Sequence, residues 1–275
     1  MKSALRNLFD HKLPSVIRNF RYLRDYYFFS KAGVHDTSMG VRLWGAGHDT
    51  NKPISYDVMV FNSCMASCEV VVDIGANIGL FTCLAVQAGK QVMAIEPHPF
   101  NFMCLCKTLQ INDYLDQGIE VLPIALSDHS GVSFLRGGGQ GASLLANWGG
   151  VVATYETPVA INTLDNLLNH RYEDSPILIK CDVEGNEFNV LRGAVSTLQR
   201  TPAPIWIIEH GLTENFQSSI NPHFVELFEL FWQNGYNASS IGAEIRPVTL
   251  NDVERWISNK KRDFGTINYL FKRGD

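Results

Sequence analysis

The chain has 275 residues, 45% of them apolar and 19% charged, with a net charge of −5 at pH 7. That length buries a full core without disulfide support, and the composition excludes a disordered or fibrous chain. The negative balance also excludes a general electrostatic attraction to nucleic acid or to an anionic membrane surface. The charge is uneven, because residues 1–31 hold seven Lys and Arg against Asp10 and Asp25. An acidic body therefore carries a basic N-terminal arm. The six cysteines form no CxxC pair, and Cys104 and Cys106 stand two apart on a predicted helix, facing different ways. Reduced thiols are expected, not a zinc site or a disulfide framework. No apolar run has the length of a membrane span or the form of a signal peptide, so a cytoplasmic protein is expected.

Taken in chain order, residues 1–50 have mixed helical character with a Tyr/Phe cluster at Tyr22–Phe29. They read as a helical extension before a domain spanning 51–275. Apolar runs of strand length follow at Val70–Ile74, Gln91–Ile95, Glu120–Leu126, Ile177–Cys181, Ile205–Glu209, Tyr236–Ile241 and Thr266–Phe271. Helical patterns fit between several of them, at Ile78–Ala88, Phe100–Gln110, Phe188–Gln199 and Pro222–Asn234. This alternation predicts an α/β fold, a doubly wound Rossmann-like parallel sheet with helices on both faces. Ser127–Thr163 breaks the rhythm and reads as a β insertion. It carries the loop GGGQGAS at 137–143, whose glycines suit a mobile lid over a substrate.

The strongest local signal is VVVDIGANIGLFT at 70–82, a strand that turns through Asp73, Ile74, Gly75, Ala76, Asn77, Ile78 and Gly79 into a helix. Gly75 permits a sharp turn close to a ligand, and Gly79 permits close packing of the helix. A pyrophosphate-binding GxGxxG turn needs glycine where Asn77 stands, which disfavours an NAD-dependent enzyme. S-adenosylmethionine (SAM) has no phosphates and offers an ammonium and a sulfonium, so the acid Asp73 suits it. Glu96, at the end of the next strand, is placed to accept both hydroxyls of an adenosine ribose.

With these blocks in view, the sequence resembles the FkbM family of methyltransferases over roughly residues 55–245. The resemblance rests on VVVDIGANIGLFT (70–82), AIEPHPFNF (94–102), VLPIALSDHSG (121–131), TLDNLL (163–168), LIKCDVEGNEFNVLRGA (178–194) and IWIIEHG (205–211). It implies a class I SAM-dependent O-methyltransferase fold acting on sugar or polyketide-like hydroxyls. It also implies cofactor contacts at Asp73, Gly75, Ala76, Asn77, Gly79 and Glu96, with Ala125 or Ser127–Asp128 near the adenine.

In open α/β sheets ligands lie beyond the carboxyl ends of the strands. Lys180, Asp182 and Glu184 alternate past one such end, and Glu209 and His210 past the next. Methyl transfer to a hydroxyl needs alignment and removal of one proton. His210 suits that base at neutral pH, Asp182 is the second choice, and Lys180 either acidifies the hydroxyl or pairs with Asp182. An alternative is a Mg²⁺ held by Asp182, Glu209 and His210 that acidifies the acceptor hydroxyl. Glu187 fits the first turn of a helix, Asp165 a helix start, and His98 a rim position beside two prolines. The expected acceptor is a small hydroxylated molecule such as a sugar. A non-catalytic SAM-fold binding module is the rival reading, and the oligomeric state is open.

Overall fold

The computed structural model describes residues 23, 27, 30–45, 54–146, 148–150, 156–216 and 219–274. Most of the basic arm and of the Tyr22–Phe29 cluster lies outside these residues. Within the stretch read as helical, Gly33–Asp36 (β1) and Arg42–Gly45 (β2) instead pair as an antiparallel hairpin. The turn between them explains the difference. Gly40 adopts φ +78°, the Thr37 hydroxyl donates to the Val41 carbonyl at 2.8 Å, and Val41 and Leu43 alternate into the core.

Helix α1 (Tyr56–Met65) then leads to β3 (Val70–Ile74), α2 (Leu80–Gln87), β4 (Gln91–Ile95), α3 (Pro99–Ile111) and β5 (Ile119–Leu122). All five residues of β3 are buried, as a central strand covered on both faces requires. The single strand expected over 120–126 is divided, because Pro123 offers no N–H to the ladder. Its second part, β6 (Ala125–Leu126), joins a separate three-stranded sheet with β7 (Gly131–Arg136) and β8 (Glu156–Asn162), in the order β6-β8-β7. That small sheet is the predicted insertion.

The chain returns through α4 (Leu164–Leu168) to β9 (Ile177–Cys181), α5 (Glu187–Arg192), α6 (Val195–Leu198) and β10 (Ile205–Glu209). It finishes with α7 (Phe224–Gln233), β11 (Tyr236–Ser240), β12 (Arg246–Val248), α8 (Leu250–Asn259) and β13 (Asn268–Arg273). The large sheet has the order β12-β11-β13-β10-β9-β3-β4-β5. It is doubly wound as expected, but mixed where a parallel sheet was predicted, because β13 runs antiparallel to both β10 and β11. The β11–β12 hairpin and α8 bring the chain back to the carboxyl end of the sheet, and β13 re-enters from there.

Trp206, Phe224, Phe228, Phe231, Trp256 and Phe271 fill one face of the sheet under α7 and α8. Phe61, Val71, Cys83, Leu105 and Ile207 fill the other under α1, α2 and α3. Burial pushes the Cys83 thiol up to about 12 and Cys104 up to about 11, so both behave as protonated core residues.

The helix expected over Phe188–Gln199 is broken into α5 and α6 at Gly193, where the chain passes against the insertion. A Cβ at Gly193 would overlap the carbonyl oxygen of Ser127. Gly193→Ala is therefore expected to lower stability by about 1–3 kcal/mol, as overpacking does, measured by urea unfolding.

Candidate cofactor and acceptor site

The switch in strand order falls between β3 and β9, and a cavity of about 620 Å³ opens over it. Its floor comes from the turn after β3. Gly75 takes φ +80°, and a Cβ there would overlap the Asp182 carbonyl oxygen, so the glycine serves the meeting of the turn with the end of β9. Asn77, where the dinucleotide pattern wants glycine, takes φ +52°. Asparagine tolerates that left-handed conformation better than other side-chain-bearing residues do. Gly75 and Asn77 line the cavity, whereas Ala76 and Gly79 do not. Ala76 is buried with its amide on the Ile95 carbonyl (3.0 Å), and Gly79 presents its bare side to Leu105 of helix α3, not to a strand as expected.

Glu96 lines the cavity while only 4% exposed. Its Oε2 accepts from the Asn77 amide and its Oε1 from the His98 amide, each at 2.8 Å, with Asn101 Nδ2 at 3.4 Å. Burial pushes its carboxyl up to about 7, against the lowering effect of these donors. Asp73 stands behind the turn, 1% exposed. Its Oδ2 accepts from the Thr82 hydroxyl at 2.6 Å, and its Oδ1 is buried without a hydrogen-bond partner among the described residues. Asn77 Oδ1 is unpartnered in the same way. Two orphaned acceptors beside a lining carboxylate fit a ligand with an ammonium and a ribose diol.

Ile124, Ala125, Leu126, Leu135 and Leu144 give the cavity an apolar wall. Of the residues expected near the adenine, Ala125 lines this wall, whereas Ser127 and Asp128 are not among the lining residues. Ser127 is buried under Gly193, and Asp128 pairs with His129 (2.7 Å) and Arg192 (3.2 Å), which hold its carboxyl below the usual range. The glycine loop, expected as a free lid, is tied into this wall. Arg136 and Ser143 exchange backbone hydrogen bonds across its base, and Asn101 Nδ2 donates to the Gly139 carbonyl at 3.1 Å. Gly139 and Ala142 line the cavity.

The acidic side of the cavity is formed by Asp182 and Glu184. Lys180, 5% exposed, donates to Asp182 Oδ2 at 3.1 Å and lies 4.6 Å from the Phe81 ring centroid. Burial favours its neutral form, but Asp182 and Asp73 outweigh burial and hold the ammonium above its ordinary range. Burial together with Asp182 pushes Glu209 up to about 8. Glu184, at φ +56°, accepts from Trp148 Nε1 at 2.8 Å, and burial pushes it up to about 7. Sequence reasoning missed Trp148, Asn101 and Asn186. Trp148, next to two glycines in the insertion, was the one with a visible signal.

His210 is not at this cavity. It is 1% exposed, its ring stacks on Phe224 with centroids 5.1 Å apart, and its nearest acid is Glu187 at 4.0 Å. The expectation of a base at His210 is therefore corrected, because the residue turns into the aromatic core beneath the strand end. The Mg²⁺ arrangement is not supported either. Among the described residues no three His, Cys, Asp or Glu side chains converge as a ligand set, and the Lys180 ammonium already neutralises Asp182.

A doubly wound sheet with a buried acid behind its first turn and a buried carboxylate lining the cavity after its second strand is the arrangement of a class I SAM-dependent methyltransferase domain. The chain belongs to the methyltransferase FkbM domain family, whose model matches residues 73–238. It is similar to hexuronic acid methyltransferase AglP of Haloferax volcanii, at 32% identity over 147 residues. Those residues are 52% of this chain and 57% of AglP, so the chain spans little more than half of that relative. Among solved structures it is similar to a SAM-dependent methyltransferase from Agrobacterium tumefaciens, with a TM-score of 0.48 and 8% identity over 89% of this chain and 71% of that one. Precorrin-6y C5,15-methyltransferase from Geobacter metallireducens gives a TM-score of 0.41 and 10% identity over 83% and 94%.

Glu96→Gln is expected to weaken S-adenosylhomocysteine binding about 10–100-fold, the loss of charge-assisted hydrogen bonds. The ionised carboxylate is the better acceptor of two hydroxyls. Wild-type affinity should therefore fall as pH drops through about 7, while the variant stays flat; calorimetric titration across that range checks both.

Proposed function

We propose that this protein is a SAM-dependent O-methyltransferase whose acceptor is a hydroxylated small molecule of the sugar class. The observation that carries the reading is one cavity with a diol-binding carboxylate, Glu96, on one wall and acidic groups, Asp182 and Glu184, on the other. The sugar class draws support from the resemblance to AglP, named a hexuronic acid methyltransferase.

When bound, SAM supplies a methyl group on a sulfonium, open to displacement by an oxygen nucleophile. The chain's own contribution is placement and proton removal. Glu96, Asn77 and Asp73 hold the donor over the turn. Asp182, 32% exposed along its side chain, takes the proton of the acceptor hydroxyl. Lys180 donates to Asp182 at 3.1 Å and orients it. Glu184 lies beside it, held by Trp148 against rotation. His210 packs between strand end and helix, against Phe224 and Phe228.

Asp182→Asn is expected to lower kcat by about 100–10,000-fold, the range for loss of a general base, with S-adenosylhomocysteine affinity within about threefold. His210→Phe should retain most turnover. A folded His210→Phe protein that binds S-adenosylhomocysteine but is inactive would return the base to His210. No methyl transfer to any hydroxylated acceptor, with donor binding intact, would favour a non-catalytic binding module.

A further inference from the structure

A second cavity, of about 1090 Å³, opens at the same end of the sheet. It is lined by the start of α1, the β11–β12 turn and the residues before β13, among them Tyr56, Asp57, Glu244, Arg246, Asp263 and Asn268. Strand register fixes its relation to the methyl-transfer site. Ile208 faces Cys181, so Glu209 follows beside Asp182, and Glu209 itself faces Asn268. At about 4.8 Å per strand, Asp182 and Asn268 stand on the order of 10 Å apart with Glu209 between them. Lys180, Ile207, Glu209 and Asn268 share one face by register and alternation, the face covered by α1. Asn268 thus brings the lining of the second cavity to within two strands of Asp182, which lines the first.

The lining has its own chemistry. Tyr56 is 51% exposed, so its ring offers an open apolar face at the rim. Phe264 is not available in that way, since the Arg246 guanidinium lies 5.7 Å from its centroid and Trp256 meets it edge-on at 5.5 Å. The Asp57 carboxylate and the Asn268 side-chain amide make no hydrogen bond among the described residues, whereas the Arg246 guanidinium is held by Glu244 at 2.6 Å. Glu244 pairs with Arg246 and Asp263 with Arg255, so among the described residues Asp57 is the lining carboxylate left without a cation, and it disfavours an anion beside it. A half-exposed aromatic face next to planar acceptors and an amide suits the apolar C–H face and the hydroxyls of a pyranose ring.

We infer that this second cavity is the acceptor site, and that it takes an uncharged or amino-bearing glycosyl residue in preference to a uronic acid. The inference rests on the O-methyltransferase reading, and it differs from the acceptor class in the name of AglP because of the Asp57 carboxylate.

The test uses the full chain with SAM and two sets of nitrophenyl glycosides, one of neutral and amino hexoses and one of hexuronates, read as S-adenosylhomocysteine formed. The expected result is turnover on the first set at kcat/KM at least tenfold above the second. Tyr56→Ala and Asp57→Asn should each raise acceptor KM about tenfold or more, with S-adenosylhomocysteine affinity unchanged. Preference for hexuronates, or methylation of neutral glycosides with KM unaltered in both variants, overturns the acceptor assignment and leaves the methyltransferase reading standing. No S-adenosylhomocysteine from either set removes the O-methyltransferase reading, and the inference with it.

Discussion

The carboxyl end of the sheet is organised around one buried ammonium. Lys180 sits among Asp73, Asp182 and Glu209 with almost no access to solvent. Burying such a charge alone costs several kcal/mol, so the carboxylates must stay close. They in turn repel one another, and only Lys180 lets three acids gather there. Asp73 lies opposite Lys180 in the ladder, at the root of the donor turn, while Asp182 and Glu209 lead towards the acceptor side. One cation therefore ties the turn after β3 to the ends of β9 and β10.

The segment DVEGNEFNVLRGA, which looks catalytic when read alone, does much of its work as a dock. Glu187 Oε1 accepts from the Val183 and Gly185 amides at 3.1 and 2.9 Å, folding the turn back on itself. A Cβ at Gly185 would overlap the Trp148 ring, and the Ser143 hydroxyl donates to the Glu184 carbonyl at 2.6 Å. Asn186 Nδ2 donates to the Leu126 carbonyl at 3.0 Å. The small sheet is thus seated on this turn at several points, and its apolar strip completes the donor cavity. Glu184 keeps its left-handed backbone because these contacts over-determine it.

Local chemistry made much of this readable. The bounds of β3, β4, β9 and β10 match their predicted runs residue for residue, because a strand covered on both faces is apolar at most of its positions. Glu96 was identifiable since a single carboxylate after the second strand has few structural reasons to be there. What escaped depended on distant partners. The direction of β13 is set by a hairpin and a helix upstream, and its own residues carry no sign of it. His210 has the right chemistry for a base, but only the tertiary fold shows that its ring faces Phe224. The hairpin at 33–45 was hidden by a composition that suits helix, and Gly193 gave no hint of Ser127 pressing against it.

The insertion of β13 between β10 and β11 has a consequence for how the chain is made. β11 and β12 leave the ribosome before residues 268–273, the strand to which β11 attaches. During that interval β10 presents a bare edge of unpaired amides and carbonyls, and the β11–β12 hairpin has no sheet to join. The half of the sheet from β5 to β10 can assemble first, as successive neighbours arrive in order. The half holding the second cavity waits for a contact between segments about sixty residues apart, the slower kind of closure. Nascent molecules thus carry a finished first cavity while the part of the sheet around the second is still open to chaperones, or to the edge of another copy.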